Sequence, residues 1–482
     1  MFHICANVLV TVLLFKLRWL AVTKLMLIIW RSNLTSFAWS ASVRNKLLYS
    51  TYLSSLIALT PAQCLSQTLE QAVVLTLQTN TDIKAAFNEF QSSKYHHEAS
   101  EGAYLPKVFL DASIGHEGLK SSNDSGIDKS SMVKKEVSIT LSQLIWDGSS
   151  TLYDIDRTAA EAESIRLQLL TEASDIALEV AKVYLEATEA FDTLNLSESN
   201  LAVHKQIYKE IQKKVSSGLG SVADLYQVEA RLAKAHGNLA AAQNNLYDSH
   251  TLFTHLVGQA PLGPIFPHAD NNFIPNSLED ANELAHDTHP VIRIAKADVD
   301  AAKFQYKLSK GVNYPTLSVE ASQTWRYDAG GTKGRNEETL AMAKMRYNLY
   351  NGGSDAANTK HFAYQLNKAK DLRESTYRNV EESLMLSWSA LDLTVQQKEF
   401  LADHVDSAAE TVIAYSKQYK IGKRTMLDLL NAKNELFEAR KGYLDIKYDE
   451  QYAKFRVMHA TGQLLDALRI NIPEEWLEEV EY

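Results

Sequence analysis

Residues 341–353, Ala-Met-Ala-Lys-Met-Arg-Tyr-Asn-Leu-Tyr-Asn-Gly-Gly, place Ala341, Ala343, Met345, Tyr347 and Leu349 on one side of an extended chain. Lys344, Arg346 and Asn348 fall on the other, and the stretch breaks at Asn-Gly-Gly. Period-two alternation of this kind specifies a strand with one apolar and one polar face. At an offset of 204 residues the pattern occurs again. Val137, Ile139 and Leu141 alternate with Ser138, Thr140 and Ser142, and Trp146-Asp147-Gly148 stands where Tyr350-Asn351-Gly352 closes the later stretch.

The repeat extends in both directions. Gly218 pairs with Gly422, Asp224-Leu225 with Asp428-Leu429 and Gly258 with Gly462 at the same offset of 204. Leu69-Glu70 pairs with Leu278-Glu279, and Leu105-Pro106 with Tyr314-Pro315, at 209; a five-residue difference in one loop reconciles the two. A duplicated chain is the consequence. Prolines respect the same plan, being absent from 107–260 and from 316–472. Since proline breaks helix interiors and sheet ladders, each half holds a long uninterrupted structure.

The expected organisation is an N-terminal extension and signal peptide (1–66), a first repeat (67–260), a connector (261–277), a second repeat (278–468) and a tail (469–482). Each repeat opens with short helices, one of them near 82–102, and continues into a strand hairpin with a polar loop. Strands are expected at about 107–117 and 134–146, then at about 316–327 and 338–350. Val108, Leu110, Ala112 and Ile114, and later Leu317, Val319, Ala321 and Trp325, give the first strand of each hairpin its apolar face. A lone hairpin with one wet face would suit a soluble protein. Two at matched positions, of membrane-spanning length, point to a transmembrane sheet in which Lys344 and Arg346 face a lumen by parity. Four strands do not close a barrel, and open edges in lipid leave backbone groups unpaired, so such a sheet requires several copies.

Behind each hairpin lies a stretch without proline, rich in Ala, Leu, Glu, Gln and Lys, expected as helical hairpins at about 149–259 and 353–463. The long first arms, 149–217 and 353–421, would each reach about 100 Å. Val405, Ala408, Val412, Tyr415 and Tyr419 step by three and four, as do Leu201, His204, Tyr208, Ile211 and Val215. That is the spacing of helices packed knobs-into-holes, and it makes His204 a seam residue. At the tips, Gly218 and Gly422 suit helix termination, while Asp224 and Asp428 suit the start of the next helix, whose N-terminus they favour electrostatically.

Composition narrows the function. A net charge of −10 without a basic run argues against a nucleic-acid partner. Cys5 and Cys64 both precede the patterned chain, so disulfides and zinc thiolates drop out. Arg44 and Lys46, the apolar run 47–59 and small residues near Ala62 form a secretory signal. Cys64 raises a lipoprotein reading that Gln63, standing where a small residue is wanted, opposes. Apolar runs in 1–43 are broken by Lys16, Arg18 and Lys24, and an over-long start, with Met26 or a later site as origin, accounts for them. No phosphate-binding glycine loop, His-Glu-x-x-His motif or nucleophile elbow is present, so neither an enzyme nor a cofactor is expected. His96-His97 and the pair His286 and His289 lack an acidic or thiol cluster, so no metal site is expected. One helical hairpin among small β-rich modules would mark a periplasmic adaptor; the duplication excludes it.

These residues resemble the TolC family of outer-membrane efflux and secretion ducts from about Leu69 to Leu468. The likeness rests on the doubled plan, the Leu-Pro or Tyr-Pro before each first strand, the aromatic-Asp/Asn-Gly after each second, and the tip glycine followed six and seven residues on by Asp and Leu. It implies an α+β membrane protein in the outer membrane of a Gram-negative cell. Its homotrimer would join a 12-stranded β-barrel to a periplasmic tunnel of twelve helices, with a mixed region near the connector and C-terminus. Partners implied are outer-membrane lipid, a periplasmic adaptor (membrane fusion protein) and an inner-membrane ABC transporter or, alternatively, a proton-driven efflux pump. Asp428 matches the first aspartate of the entrance ring, and Asn431 stands where a second is often found, leaving three carboxylates rather than six. Tyr419 and Arg424 match latch positions with Asp224 as partner, and Ala223 lacks the hydroxyl sometimes present there. Tyr347 to Gly353 and the tip Ile421-Gly422-Lys423-Arg424-Thr425 look like the type I secretion and agglutination-protein branch, which exports large repetitive adhesins. Multidrug or small-molecule efflux is the alternative.

Overall fold

The computed structural model describes residues 67–123, 126–480 and 482. The signal segment and Cys64 lie outside the described residues. Helices α1 (Leu69–Thr79) and α2 (Thr81–Glu101) lead into strands β1 (Lys107–Asn123) and β2 (Gly126–Trp146), then the hairpin α3 (Ser150–Ser216) and α4 (Val222–Val257). The second half repeats this order as α5 (Leu278–Thr288), α6 (Pro290–Gly311), β3 (Thr316–Ala329), β4 (Thr332–Arg346), α7 (Ser354–Lys420) and α8 (Met426–Ala460). Two short helices, α9 (Leu464–Ala467) and α10 (Glu474–Leu477), close the chain. Both long helices, α3 and α7, have 67 residues, so the duplication visible in sequence is kept in length.

Local chemistry sets the joints. Asn80 ends α1, and its side chain accepts from the N–H groups of Asp82 and Ile83 to start α2. Asp147 of the Trp-Asp-Gly motif accepts from the N–H and hydroxyl of Thr151, at 2.9 and 2.6 Å, and so begins α3. Its repeat partner Asn351 reaches Asp355 at 3.0 Å. Gly148 follows at φ +73°, and a Cβ there would lie 2.6 Å from the Gly311 carbonyl oxygen. The turns that link sheet to helix in the two halves cross at this point, which is why the motif ends in glycine.

The strands form one antiparallel sheet in the order β1-β2-β3-β4, with β2 paired to β3 across the two repeats. Two expectations shift. β1 and β2 pair as far as Asn123 and Gly126, so the expected loop between 117 and 134 is mostly ladder. Outside a membrane both faces are wet, and apolar periodicity no longer marks a strand. β4 ends at Arg346 rather than near 350, because its last partner is Thr316 and the residue before that is Pro315, which has no N–H to offer.

The main core gathers α1, α2, the middle of α3, the C-terminal ends of α4 and α8, the connector and the tail around Phe90, Tyr184, Phe253 and Phe455. Tyr184 donates to the Gln67 carbonyl at 2.7 Å and accepts from the Ile265 N–H at 3.0 Å, pinning the connector. Arg166 is buried, bidentate to Glu163 at 2.7 and 2.6 Å and bonded to the Trp476 carbonyl, so the tail is clasped to α3. His204 is buried, with Nδ1 2.9 Å from the Asn200 carbonyl, as a seam residue should be.

Candidate functional site

Cross-strand neighbours share a face, so the register sorts the whole sheet. Ser138, Thr140 and Ser142 pair with Asp111, Phe109 and Lys107 on one side and with Thr324, Ser322 and Glu320 on the other. Lys344 and Arg346, opposite Ser318 and Thr316, belong to this polar face. Lys344 forms an ion pair with Glu320, Lys134 with Glu136 at 2.6 Å, and Arg326 bridges Glu136 (3.2 Å) and Glu338. Such a charge-laced face is stable only against water.

The opposite face carries Val108, Leu110 and Ile114, Val137, Ile139 and Leu141, and Val319 and Met345, all exposed within the chain. Between Leu317 and Tyr327 four polar residues interrupt it: Gln323 and Thr339 hydrogen-bond to each other, Gln143 donates to the Tyr104 and Leu144 carbonyls, and Glu337, opposite Trp325, pairs with Arg335. From Leu317 to Tyr327 the face spans ten residue steps. At about 3.4 Å per step and a tilt near 40° that is about 26 Å of height, the apolar band a barrel presents to lipid. Among the described residues no helix is long and apolar enough to cross a membrane. Among the described residues β1 and β4 each lack a partner on their outer edge.

At the far end of the helices the two hairpin tips are built alike. Gly218 (φ +75°) and Gly422 (φ +73°) each end a helix with paired bonds: Leu219 N–H to the Lys214 carbonyl with Gly218 N–H to Val215, and Lys423 N–H to Gln418 with Gly422 N–H to Tyr419. The next helices then start differently. Thr425 and Asp428 exchange bonds in a capping box that starts α8, whereas Ser221 starts α4 through the Ala223 N–H and leaves Asp224 without a hydrogen-bond partner among the described residues. The Thr425 hydroxyl and N–H, with Arg424 3.9 Å away, hold the half-buried Asp428 carboxyl below its ordinary range.

Within one chain Asp224 is not joined to Tyr419 or Arg424. Tyr419 instead accepts from Lys214 Nζ at 2.8 Å. Arg424 donates to Gln418 at 3.1 Å and lies 4.3 Å from the Tyr415 ring centroid. Asn431 accepts from Arg231 at 2.9 Å. The helix order explains this: α3 packs on α4 and α8, and α7 packs on α8, so α4 and α7 are the outer helices. Beneath these contacts Ile207, Ile211, Val228, Met426 and Leu430 form a small apolar core that joins the two tips. Lys214 and Arg231 escape sequence reasoning because their partners sit on a different hairpin; the shared height of Lys214 and Tyr419, one repeat apart within a residue, was the available signal.

The histidines set aside in sequence have ordinary partners. His97 meets Thr158 at 3.2 Å, His286 meets Glu381 at 3.1 Å, and His289 accepts from the Val291 N–H. Burial pushes His289 down to about 4. Among the described residues no group of His, Cys, Asp and Glu is placed to hold a metal ion.

A two-sided sheet open at both edges, carried on paired helical hairpins from each half of a duplicated chain, defines a channel-forming protein of outer-membrane type. The profile of the family described as "outer membrane efflux protein" matches residues 72–259 and 282–463, and the chain belongs to that family. It is 23% identical over 436 residues to the outer membrane efflux protein BepC of Brucella suis, covering 90% of this chain and 94% of that one. It is 22% identical over 411 residues to the alkaline protease secretion protein AprF of Pseudomonas aeruginosa, covering 82% and 84%. In fold it is similar to the outer membrane protein VceC of Vibrio cholerae, with a TM-score of 0.70 at 14% identity over 82% of this chain and 96% of that one. The protein is thus an outer-membrane efflux or secretion duct, of a Gram-negative cell.

Proposed function

We propose that the chain is one protomer of the exit duct of a tripartite export system, three copies closing a 12-stranded barrel above a periplasmic helical tunnel. The observation that carries this is the sheet with one apolar face, one ion-paired face and two unpaired edges. Leu372, Leu386, Leu393 and Phe400 support it: they recur at multiples of seven along α7 and are exposed within the chain, the pattern of a helix awaiting another helix. Partners are a periplasmic adaptor and an inner-membrane ABC transporter, and the cargo is a large adhesin-like protein. The likeness to AprF, a secretion protein, favours this branch; that to BepC, an efflux protein, favours small-molecule efflux with a proton-driven pump as the second reading.

Lys344 and Arg346 line the barrel lumen in this reading, and Asp428 with Asn431 rings the entrance. Because α4 and α7 are the outer helices of one copy, Arg424 and Tyr419 of one copy latch to Asp224 of the next. Single-channel conductance of Asp224→Ala with Arg424→Ala tests the latch: it rises if the bonds hold the entrance, and an unchanged value removes the latch. Deletion of the gene tests the cargo. Lost surface adhesin with unchanged drug tolerance supports secretion, whereas normal adhesin with heightened drug sensitivity moves the protein to efflux.

A further inference from the structure

The outward face of the sheet changes character at one level. Below it are the aliphatic residues of the lipid-facing band; at it stand Lys135 and Arg335, both in register with Tyr327, which lies between them on the middle strand. With strands about 4.8 Å apart, the two cations are about 10 Å apart at the backbone, a span that their flexible side chains close over the tyrosine ring. Lys135, Val137, Trp325, Tyr327 and Arg335 line a depression of about 220 Å³, together with Glu136 and Arg326, which are paired to each other on the polar face. Further from the helices, Lys120 and Lys129 face each other directly across β1 and β2 on the same outward face. Like charges so placed repel unless an anion lies between them.

Counter-charge within the chain is sparse. Glu337, opposite Trp325 just below this level and paired to Arg335, is the one carboxylate at a described strand position of this face. Asp328, at the bulge next to Tyr327, is engaged by the Gly334 N–H at 2.8 Å. Lys120, Lys129 and Lys135 have no ion-pair partner among the described residues, and all three are exposed. The polar face of the same strands, by contrast, pairs its Lys134, Arg326 and Lys344 with carboxylates. The hairpin turns lie at the end of the sheet remote from α3 and α7, so this level is the outer-leaflet margin of the band.

We propose that Lys135 and Arg335, framed by Trp325 and Tyr327 and extended by Lys120 and Lys129, bind the phosphorylated headgroup of an outer-leaflet glycolipid. This rests on the duct reading for the orientation of the sheet and goes beyond it in assigning a ligand. The guanidinium and ammonium donate to phosphate oxygens. The two aromatic rings pack on the first carbons of the acyl chains, as aromatic residues do at membrane margins.

The test uses the full-length protein in detergent micelles with lipid A, a bis-phosphorylated acylated disaccharide, and its enzymatically dephosphorylated form, read by native mass spectrometry. Lipid A retained by the wild type, with affinity lowered at least about tenfold by dephosphorylation and by Lys135→Gln with Arg335→Gln, is expected from the loss of charged hydrogen bonds. Lys182→Gln with Lys234→Gln, exposed on α3 and α4 away from the sheet, removes the same two charges; it is the control for net charge and should leave binding unchanged. Equal binding of the two lipids, or an equal loss in the control, overturns the site. Displacement of lipid A by millimolar inorganic phosphate overturns its assignment to a lipid. Pore formation in planar bilayers, measured on the same samples, separates the readings. Pores without phosphate-dependent binding remove the lipid site alone, and phosphate-dependent binding without pores removes the duct.

Discussion

Replacing Ala321 by arginine separates a membrane-spanning sheet from a soluble one. Ala321 lies on the apolar face, opposite Leu141 on β2 and Ala341 on β4. It is four steps above Leu317, where the band begins. Four rises of about 3.4 Å at a tilt near 40° put it about 10 Å into a band about 25 Å tall, close to mid-bilayer. A basic residue facing lipid at that depth costs about 2–4 kcal/mol, roughly a 30- to 900-fold shift of the folding equilibrium. Ser322, its neighbour in sequence, points to the polar face, between Thr140 and Leu340. Ser322→Arg should cost less than about 1 kcal/mol, since its charge stays in water. Guanidinium titration of the protein folded into lipid vesicles, followed by tryptophan emission, measures both. Equal costs, or a larger one for Ser322→Arg, would refute the assignment of faces and with it the membrane reading of the sheet.

Other outcomes follow from the helical part. Arg166→Ala leaves Glu163 buried without its bidentate partner and should lower stability by about 3–5 kcal/mol; replacing Arg166 and Glu163 together by Met and Leu should cost less, and thermal melts of the two variants give the comparison. Gly148→Ala, at φ +73° and facing the Gly311 carbonyl, should be destabilised by more than about 1 kcal/mol, whereas Gly237→Ala, which meets open space within α4, should be neutral or stabilising in the same melt. Glu189 on α3 is pushed up to about 8 by burial and by Asp445 on α8. It is protonated in the folded state at pH 7 and ionised in the unfolded one, so stability is greatest below the ordinary carboxyl range and falls as pH rises from about 4.5 towards 8. Allowing for solvent screening, a loss of about 1–2 kcal/mol between pH 5.5 and 7.5 is expected. Glu189→Gln should flatten that profile, and a profile unchanged by the substitution would exclude this carboxyl as its source.

Strand faces and helix lengths were legible because each depends on a local period: Ala341 to Leu349 show their alternation without a neighbour, and a 67-residue helix needs only the absence of proline and a good composition. The capping box of Thr425 and Asp428 is equally local. What escaped depends on which helix lies beside which. Lys214 finds Tyr419 and Arg231 finds Asn431 only because the two hairpins pack together at their tips. Arg166 and Glu163, three residues apart, have a spacing that any exposed helix can carry, and only the tail from Trp476 onward buries the pair. The outer basic residues were hidden for another reason: alternation identifies Lys135 as outward, but only the register with Tyr327 and Arg335 brings two cations to one ring.

The unpaired edges of β1 and β4 also bear on inheritance. In the ring proposed above, a chain whose β4 edge is blocked, for instance by proline, still offers β1 to a neighbour, so it joins the assembly and spoils it rather than being left out. When blocked and intact chains are made together, the share of sound channels falls as the share of intact chains raised to the number of copies per ring. A defective allele is therefore dominant over the intact one, and the steepness of its dominance counts the subunits.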